Sequence, residues 1–379
     1  MTFDTYGEAD MGTLANGVVL RTFNEPLTVE QAELPDPQPG ALTVRVTHGG
    51  ICGTDIHLHH GNLPIPVPVI LGHEGIGVVE QLGESVTTDF SGRSLAVGDV
   101  VAWMSSIPCG KCHWCVIEGE RTLCENRKVY GINQSFDVWP KLSGSWAEYM
   151  YLQPGSTVFR LPDGVTPEQA IALGCAAPTA VHGVIDIVKV KAGDTVVVQG
   201  SGPVGLAAAM YAHFSGASKV ILVGGPASRI ELAKEIGVGD VHFDIFDGMT
   251  PEDRLEAILA ETPAGYGADV VLECTGVPAA VAEGLEMARK NGRYLVLGQY
   301  TDRGTTPINP HIITKKQLQV YGSWTFAERH YERYLASLPE LAKRFQLEKL
   351  ITPYSLAEAN QAMNDMSEGK VMKAVLVNS

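Results

Sequence analysis

Short apolar runs dominate the first 160 residues. Leu42, Val44 and Val46 alternate with polar neighbours, and GVVEQLG at 77–83 and VGDVVAW at 97–103 are further short runs set off by Gly, Pro and Asp. A period of two places alternate side chains on one face of a sheet, so this region reads as β-rich. From about Ala192 the rhythm changes. DTVVVQ leads into a Gly-rich turn and a helix through His213, and KVILV leads into a helix through Ile236. ADVVLECTG and GRYLVLGQY continue the apolar runs. RLEAILAE puts Leu255, Ile258 and Leu259 on one helical face, and PAAVAEGLEMAR supplies another helix.

Strand and helix in alternation predict an α/β fold with a doubly wound parallel sheet. After Trp324 comes the helical stretch HYERYLASLPELAKRF, and the chain closes on KAVLV, a single strand. A lone strand must pair elsewhere, so it is expected to return to the first domain. The expected division is 1–176, 177–324 and a returning segment 325–379. QLQVYGSW, near the end of the second part, reads as a sheet edge suited to pairing between subunits.

A chain of 379 residues exceeds what one compact core usually supports, which fits two domains. With 45% hydrophobic and 19% charged residues it can bury large cores. The net charge of −15, without a Lys/Arg run, argues against nucleic acid and anionic lipid as partners and for a small molecule. No stretch is long and apolar enough for a membrane span, and MTFDTYGEADMG has neither basic flank nor apolar run, so a cytoplasmic protein is expected.

Seven cysteines in such a compartment point to metal rather than disulfides. Four of them, Cys109, Cys112, Cys115 and Cys124, crowd into sixteen residues and can close a tetrahedral structural zinc site. Cys52 in GGICGTDIH, His73 with Glu74 in GHE, and Cys175 in LGCAAPTA offer zinc-ligand chemistry elsewhere. Three protein ligands leave one coordination position open, as catalysis requires.

Gly200-Ser201-Gly202-Pro203-Val204-Gly205 follows an apolar strand and opens a helix, the context of a dinucleotide fingerprint. The helix N-terminus would take the pyrophosphate. At the end of the next strand, where an NAD site places an acid, stands Gly224-Gly225-Pro226. Ser228 and Arg229 could reach a 2′-phosphate, while Arg229 could equally stack on adenine or cap its helix. NAD and NADP both stay open, and the absence of a basic residue immediately after the strand tilts the expectation to NAD.

The run Gly72-His73-Glu74, then Gly77, Gly83 and Val86, together with CGTDIH, resembles the zinc-dependent medium-chain alcohol dehydrogenase family over nearly the whole chain. The resemblance implies a GroES-like catalytic domain carrying two zinc sites per subunit and a Rossmann domain. It implies Cys52, His73 and Cys175 as catalytic ligands, with Glu74 a nearby carboxylate or alternative ligand. Thr54 would bond the substrate oxygen, and His57 would end a proton relay, unless it is a surface histidine like His59 and His60. Asp55 would orient His73. Thr179 and Gly298 would meet the cofactor, and Lys373 its pyrophosphate, unless it is a solvated strand-start charge.

The quartet has eight residues between Cys115 and Cys124 where the family usually has seven. Ser105 and Trp146 would line the substrate pocket, and ENRKVYGINQSFDVWPKLSGSW would add contacts there. Family members are commonly homodimers or homotetramers. The expected activity is hydride transfer between an alcohol, secondary, cyclic or polyol, and NAD(P). A zinc-free quinone or enone reductase of the same superfamily would lack Cys52, His73 and the quartet. A non-catalytic dinucleotide- and zinc-binding sensor would not need Thr54 and His57.

Overall fold

The computed structural model describes residues 13–378. The segment MTFDTYGEADMG, read above as lacking a leader, lies outside these residues. The β-rich part is a seven-stranded sheet among the described residues, ordered Val158–Arg160, Val100–Trp103, Gly75–Leu82, Leu42–Gly50, Lys373–Val377, Ile351–Tyr354, with Tyr149–Leu152 also on Leu42–Gly50. Val44 and Val46 face its core, as their alternation requires.

KAVLV does return. Val375, Leu376 and Val377 pair antiparallel with Gly50, Gly49 and His48, and Ile351–Tyr354 pairs parallel on its other side. Burying this strand on both sides satisfies its backbone groups, which a free terminus would leave to water.

The second sheet runs Val241–Asp244, Lys219–Gly224, Thr195–Gln199, Ala268–Glu273, Ala288–Val296, Gln319–Gly322, every neighbour parallel. In chain order that is 3-2-1-4-5-6, the doubly wound arrangement with its binding crevice above the first strand. Gln319–Gly322 is one of the two edge strands and is mostly exposed.

The helix Pro203–Phe214 is buried almost all round, because it packs on this sheet and also against Ala176–Ala180. Its approach depends on Gly205, where a Cβ would stand 1.8 Å from the Gly200 carbonyl oxygen. Among the RLEAILAE residues only Ile258 and Arg254 are fully buried, Arg254 facing Glu283 at 3.7 Å, so that helix is less one-sided than its apolar residues predict.

The helix Glu328–Arg344 buries Tyr331, Tyr334, Leu335, Leu338 and Leu341 at three- and four-residue intervals, the spacing of one helical face. These side chains share a core with the parallel sheet and with Ile76 and Phe159 of the first sheet. One core therefore welds the two sheets.

On the returning strand Val375 joins that core, while Leu376, buried, points into a separate core of the first domain with Val18, Ile51, Leu58 and Met363. Leu376→Ala is expected to lower unfolding free energy by about 2–5 kcal/mol, the range for a buried leucine truncation, measured by denaturant titration.

Candidate active site

The metal-ligand residues meet where three backbone devices converge. Cys52 caps the short helix Gly53–His59: its Sγ accepts from Thr54 N at 3.3 Å, and Asp55 Oδ2 accepts from Cys52 N at 2.9 Å. This reciprocal cap aims the sulfur out of the helix end. His73 follows Gly72, whose φ of +92° and crowding by Trp146 and Ser145 leave no room for a Cβ. Cys175 precedes the helix Ala176–Ala180, bonded through its carbonyl to Thr179 Oγ1 at 2.9 Å.

Cys52, His73 and Cys175 place one ligand atom each within 4.8 Å of the others. Cys52 Sγ lies 3.1 Å from His73 Nε2, and His73 Nδ1 lies 3.2 Å from Asp55 Oδ1. A hydrogen bond from Cys175 and the charge of His73 hold the Cys52 thiol well below its ordinary range, while the same bond and burial push Cys175 well up. Burial opposes a charge on His73, but Cys52 and Asp55 raise it well above an ordinary histidine. The two sulfurs and the imidazole nitrogen, close together and lining the cleft, fit a zinc ion, which Cys52, His73 and Cys175 would hold and which would supply Lewis acidity there.

Glu74 stands outside that cluster. It is buried, its Oε1 paired with Lys373 Nζ, and its Oε2 has no partner. Lys373 is 2% exposed, so it is not a solvated strand-start charge; it forms part of the cleft floor.

The quartet Cys109, Cys112, Cys115 and Cys124 also places its sulfurs within 4.8 Å of one another. The eight residues between Cys115 and Cys124 leave a helical turn at His113–Val116 and end in a tighter turn at Arg121–Leu123 that leads into Cys124. The backbone N–H of Lys111 helps pull the Cys109 thiol down to about 6, and burial pushes Cys115 up to about 12. Closed thiolate clusters of this kind fit structural zinc. Two ion pairs, Arg121 to Glu328 at 3.2 Å and Arg329 to Glu120 at 3.5 Å, dock this lobe on the helix Glu328–Arg344.

A cleft of about 560 Å³ runs from the triad to the Gly-rich turn. Thr54, His57, Thr179, Gly202, Pro203, Val204, Arg229, Gly298 and Lys373 line it. Gly200, Gly205 and Gly224 lie beneath it instead: Gly200 turns at φ +114°, Gly205 packs on it, and Gly224 makes room for the Ser201 side chain. His57 accepts from Asn62 Nδ2 at 3.2 Å on Nδ1, and burial with the nearby Arg303 lowers its pKa, which favours the neutral ring.

Ser105 lines the cleft, but Trp146 does not. Trp146 is wholly buried and donates from Nε1 to the Gly50 carbonyl at 3.0 Å, because Gly49 and Gly72 admit its indole into the core. The segment 125–146 does supply contacts, through Arg127, Val129, Ile132 and Asn133. Tyr300 and Trp324, stacked at 5.1 Å, form another wall that no motif announced, since only the meeting of two loops creates it.

Asp55, fully buried, is the contact that fixes the His73 ring. Asp55→Asn is expected to weaken zinc at this site about 10–100-fold, the usual effect of removing such a partner, read by chelator competition on protein of unchanged circular dichroism.

Two family descriptions match: Alcohol dehydrogenase GroES-like domain over residues 38–163, and Zinc-binding dehydrogenase over residues 203–342. The chain is 38% identical over 352 residues to the 5-exo-hydroxycamphor dehydrogenase of Pseudomonas putida, covering 92% of this chain and 95% of that protein. It is 34% identical over 349 residues to the sorbitol dehydrogenase of Halalkalibacterium halodurans, covering 91% and 94%. An alcohol dehydrogenase from Thermotoga maritima superposes with a TM-score of 0.91 at 34% identity, over 97% of this chain and 100% of that one. A zinc-binding dehydrogenase from Sinorhizobium meliloti bound to NADP superposes with a TM-score of 0.83 at 30% identity, over 97% and 100%. Sequence, fold and cleft agree over almost the full length, and the chain belongs to the zinc-dependent medium-chain alcohol dehydrogenase family, whose enzymes use zinc and a nicotinamide cofactor on alcohol and carbonyl substrates.

Proposed function

We propose that this enzyme oxidises a secondary, ring-bearing alcohol, or reduces the matching ketone, at the Cys52, His73 and Cys175 cluster. The observation that carries this reading is the cluster's position at one end of a cleft whose other end is the Gly-rich dinucleotide turn. When bound, zinc supplies Lewis acidity that lowers the pKa of an alcohol, and the nicotinamide supplies the hydride acceptor.

The chain's own residues do the rest. The Thr54 hydroxyl takes the substrate proton as it gives up its own, and His57 receives that proton at Nδ1 in place of the Asn62 N–H and releases its Nε2 proton to solvent. Leu63, Ile65, Val129 and Ile132 offer an apolar seat for the body of the substrate. Among the described residues no carboxylate lines the cleft, so it offers no acid for the ammonium group of an amino alcohol. The apolar seat favours the class named by the hydroxycamphor relative, and the lack of an acid disfavours the one named by the threonine relative.

For the cofactor, the structure adds what spacing hides. Arg229 reaches back so that Nη1 is 3.9 Å from where a Cβ on Gly202 would stand, and its buried Nε has no partner. Asp244 is near Gly225 but is spent on Phe246 N at 3.0 Å. A desolvated guanidinium with no carboxylate opposite it supports NADP against the tilt to NAD. The seven unpaired cysteines fit a reducing, cytoplasmic compartment, and the exposed edge Gln319–Gly322 fits a homodimer or homotetramer.

Metal analysis is expected to give two zinc per chain. Cys52→Ser and Cys112→Ser should each retain about one, Cys52→Ser losing turnover and Cys112→Ser losing thermal stability first. Arg229→Gln is expected to lower kcat/KM for NADP about tenfold or more while changing that for NAD by less than about threefold, one charge-assisted bond's worth. Equal losses with both cofactors would assign Arg229 to the shared pyrophosphate.

A further inference from the structure

The cleft is cationic in a chain of net charge −15. Arg127, Arg229, Arg303 and Lys373 line it, with no Asp or Glu among the described lining residues. Three of these are accounted for or unconfined. Lys373 is neutralised by Glu74, Arg229 stands at the dinucleotide end, and Arg303 is exposed. Arg127 differs. It is half-buried, has no carboxylate within ion-pair distance among the described residues, and lies at the substrate end, its guanidinium 6.0 Å from the centre of the Trp324 ring.

Its position is built rather than incidental. Nη1 donates to the Thr122 carbonyl at 2.7 Å, in the turn just before Cys124, and Asn133 Nδ2 donates to the Arg127 carbonyl at 3.0 Å. Asn133 Oδ1 in turn accepts from Val129 N at 2.6 Å. One edge of the guanidinium is thus held and the loop beneath it braced, so its other N–H groups meet a ligand with little ordering left to do. The Tyr300–Trp324 stack shares the cleft with the triad, and Trp324 is the ring that Arg127 overlies. Tyr300 is near enough to both to register His73 and Arg127, which draw its phenol down against the upward push of burial.

We propose that Arg127 binds a carboxylate on the substrate, at the end of the molecule remote from the reacting hydroxyl, so that the substrate class is an alicyclic hydroxy acid or the corresponding keto acid. Guanidinium and carboxylate match in shape and charge, and the aromatic pair gives the ring a flat wall. This rests on the alcohol dehydrogenase reading above and specifies it.

The test compares hydroxycyclohexanecarboxylate, its methyl ester and cyclohexanol as substrates of the zinc-loaded enzyme, with Arg127→Met and Arg127→Lys beside the parent. The parent is expected to favour the acid over the ester about tenfold or more in kcat/KM, through KM, the factor of one charge-assisted hydrogen bond. Arg127→Met should bring that ratio near one, and Arg127→Lys should keep part of it. Because the ratio is the readout, a general loss from the freed Thr122 carbonyl cancels. Turnover of ester and cyclohexanol with no preference for the acid, or a preference that survives Arg127→Met, overturns the anchor and leaves the alcohol reading standing. No turnover of any of the three overturns both.

Discussion

Everything at this site depends on holding two sulfurs and an imidazole nitrogen within 4.8 Å of one another while the three residues arrive from separate segments. Such donors repel when deprotonated and are costly to desolvate, so the fold must hold them there. It does so with backbone rather than side-chain packing: a helix cap at Cys52, a positive φ at Gly72, and a helix start at Cys175. Asp55 serves two of these at once, closing the cap through Oδ2 and facing His73 through Oδ1.

That arrangement survives only because both sheets are fixed relative to each other. Cys52 and His73 belong to the first sheet's connections, and Cys175 lies on the way into the second. The helix Glu328–Arg344 buries aromatic and leucine side chains against both, and the returning strand Lys373–Val377 lies directly beside Leu42–Gly50. Lys373, at the start of that strand, reaches the buried Glu74, so the end of the chain is joined to the floor of the cleft. The cysteine quartet contributes at a distance, since its lobe is docked by ion pairs on the N-terminal turn of the same helix.

The cleft's electrostatics follow from what is absent as much as from what is present. An acidic chain that keeps carboxylates off the lining of one cleft, and places four cations there, makes that cleft the region where anionic ligands are attracted rather than repelled. The phosphates of a dinucleotide account for one end. The braced Arg127 is the feature at the other.

The chain by itself determined the two-part architecture, because periods of two and of strand-helix alternation are local properties of the backbone. It also marked the candidate donors, the quartet by residue type and spacing, and Cys52, His73 and Cys175 by residue type together with the family resemblance. With the extra residue before Cys124 the four sulfurs still lie within 4.8 Å of one another. Only tertiary structure decided which residues face the cleft. Trp146 has the chemistry of a pocket wall but fills a core space left by Gly49 and Gly72, whereas Tyr300, Trp324 and Arg127 carry no motif and become walls when their loops meet. Arg229 is open among several roles in the sequence, and the fold places its guanidinium over Gly202, because the helix it opens starts beside the Gly-rich turn.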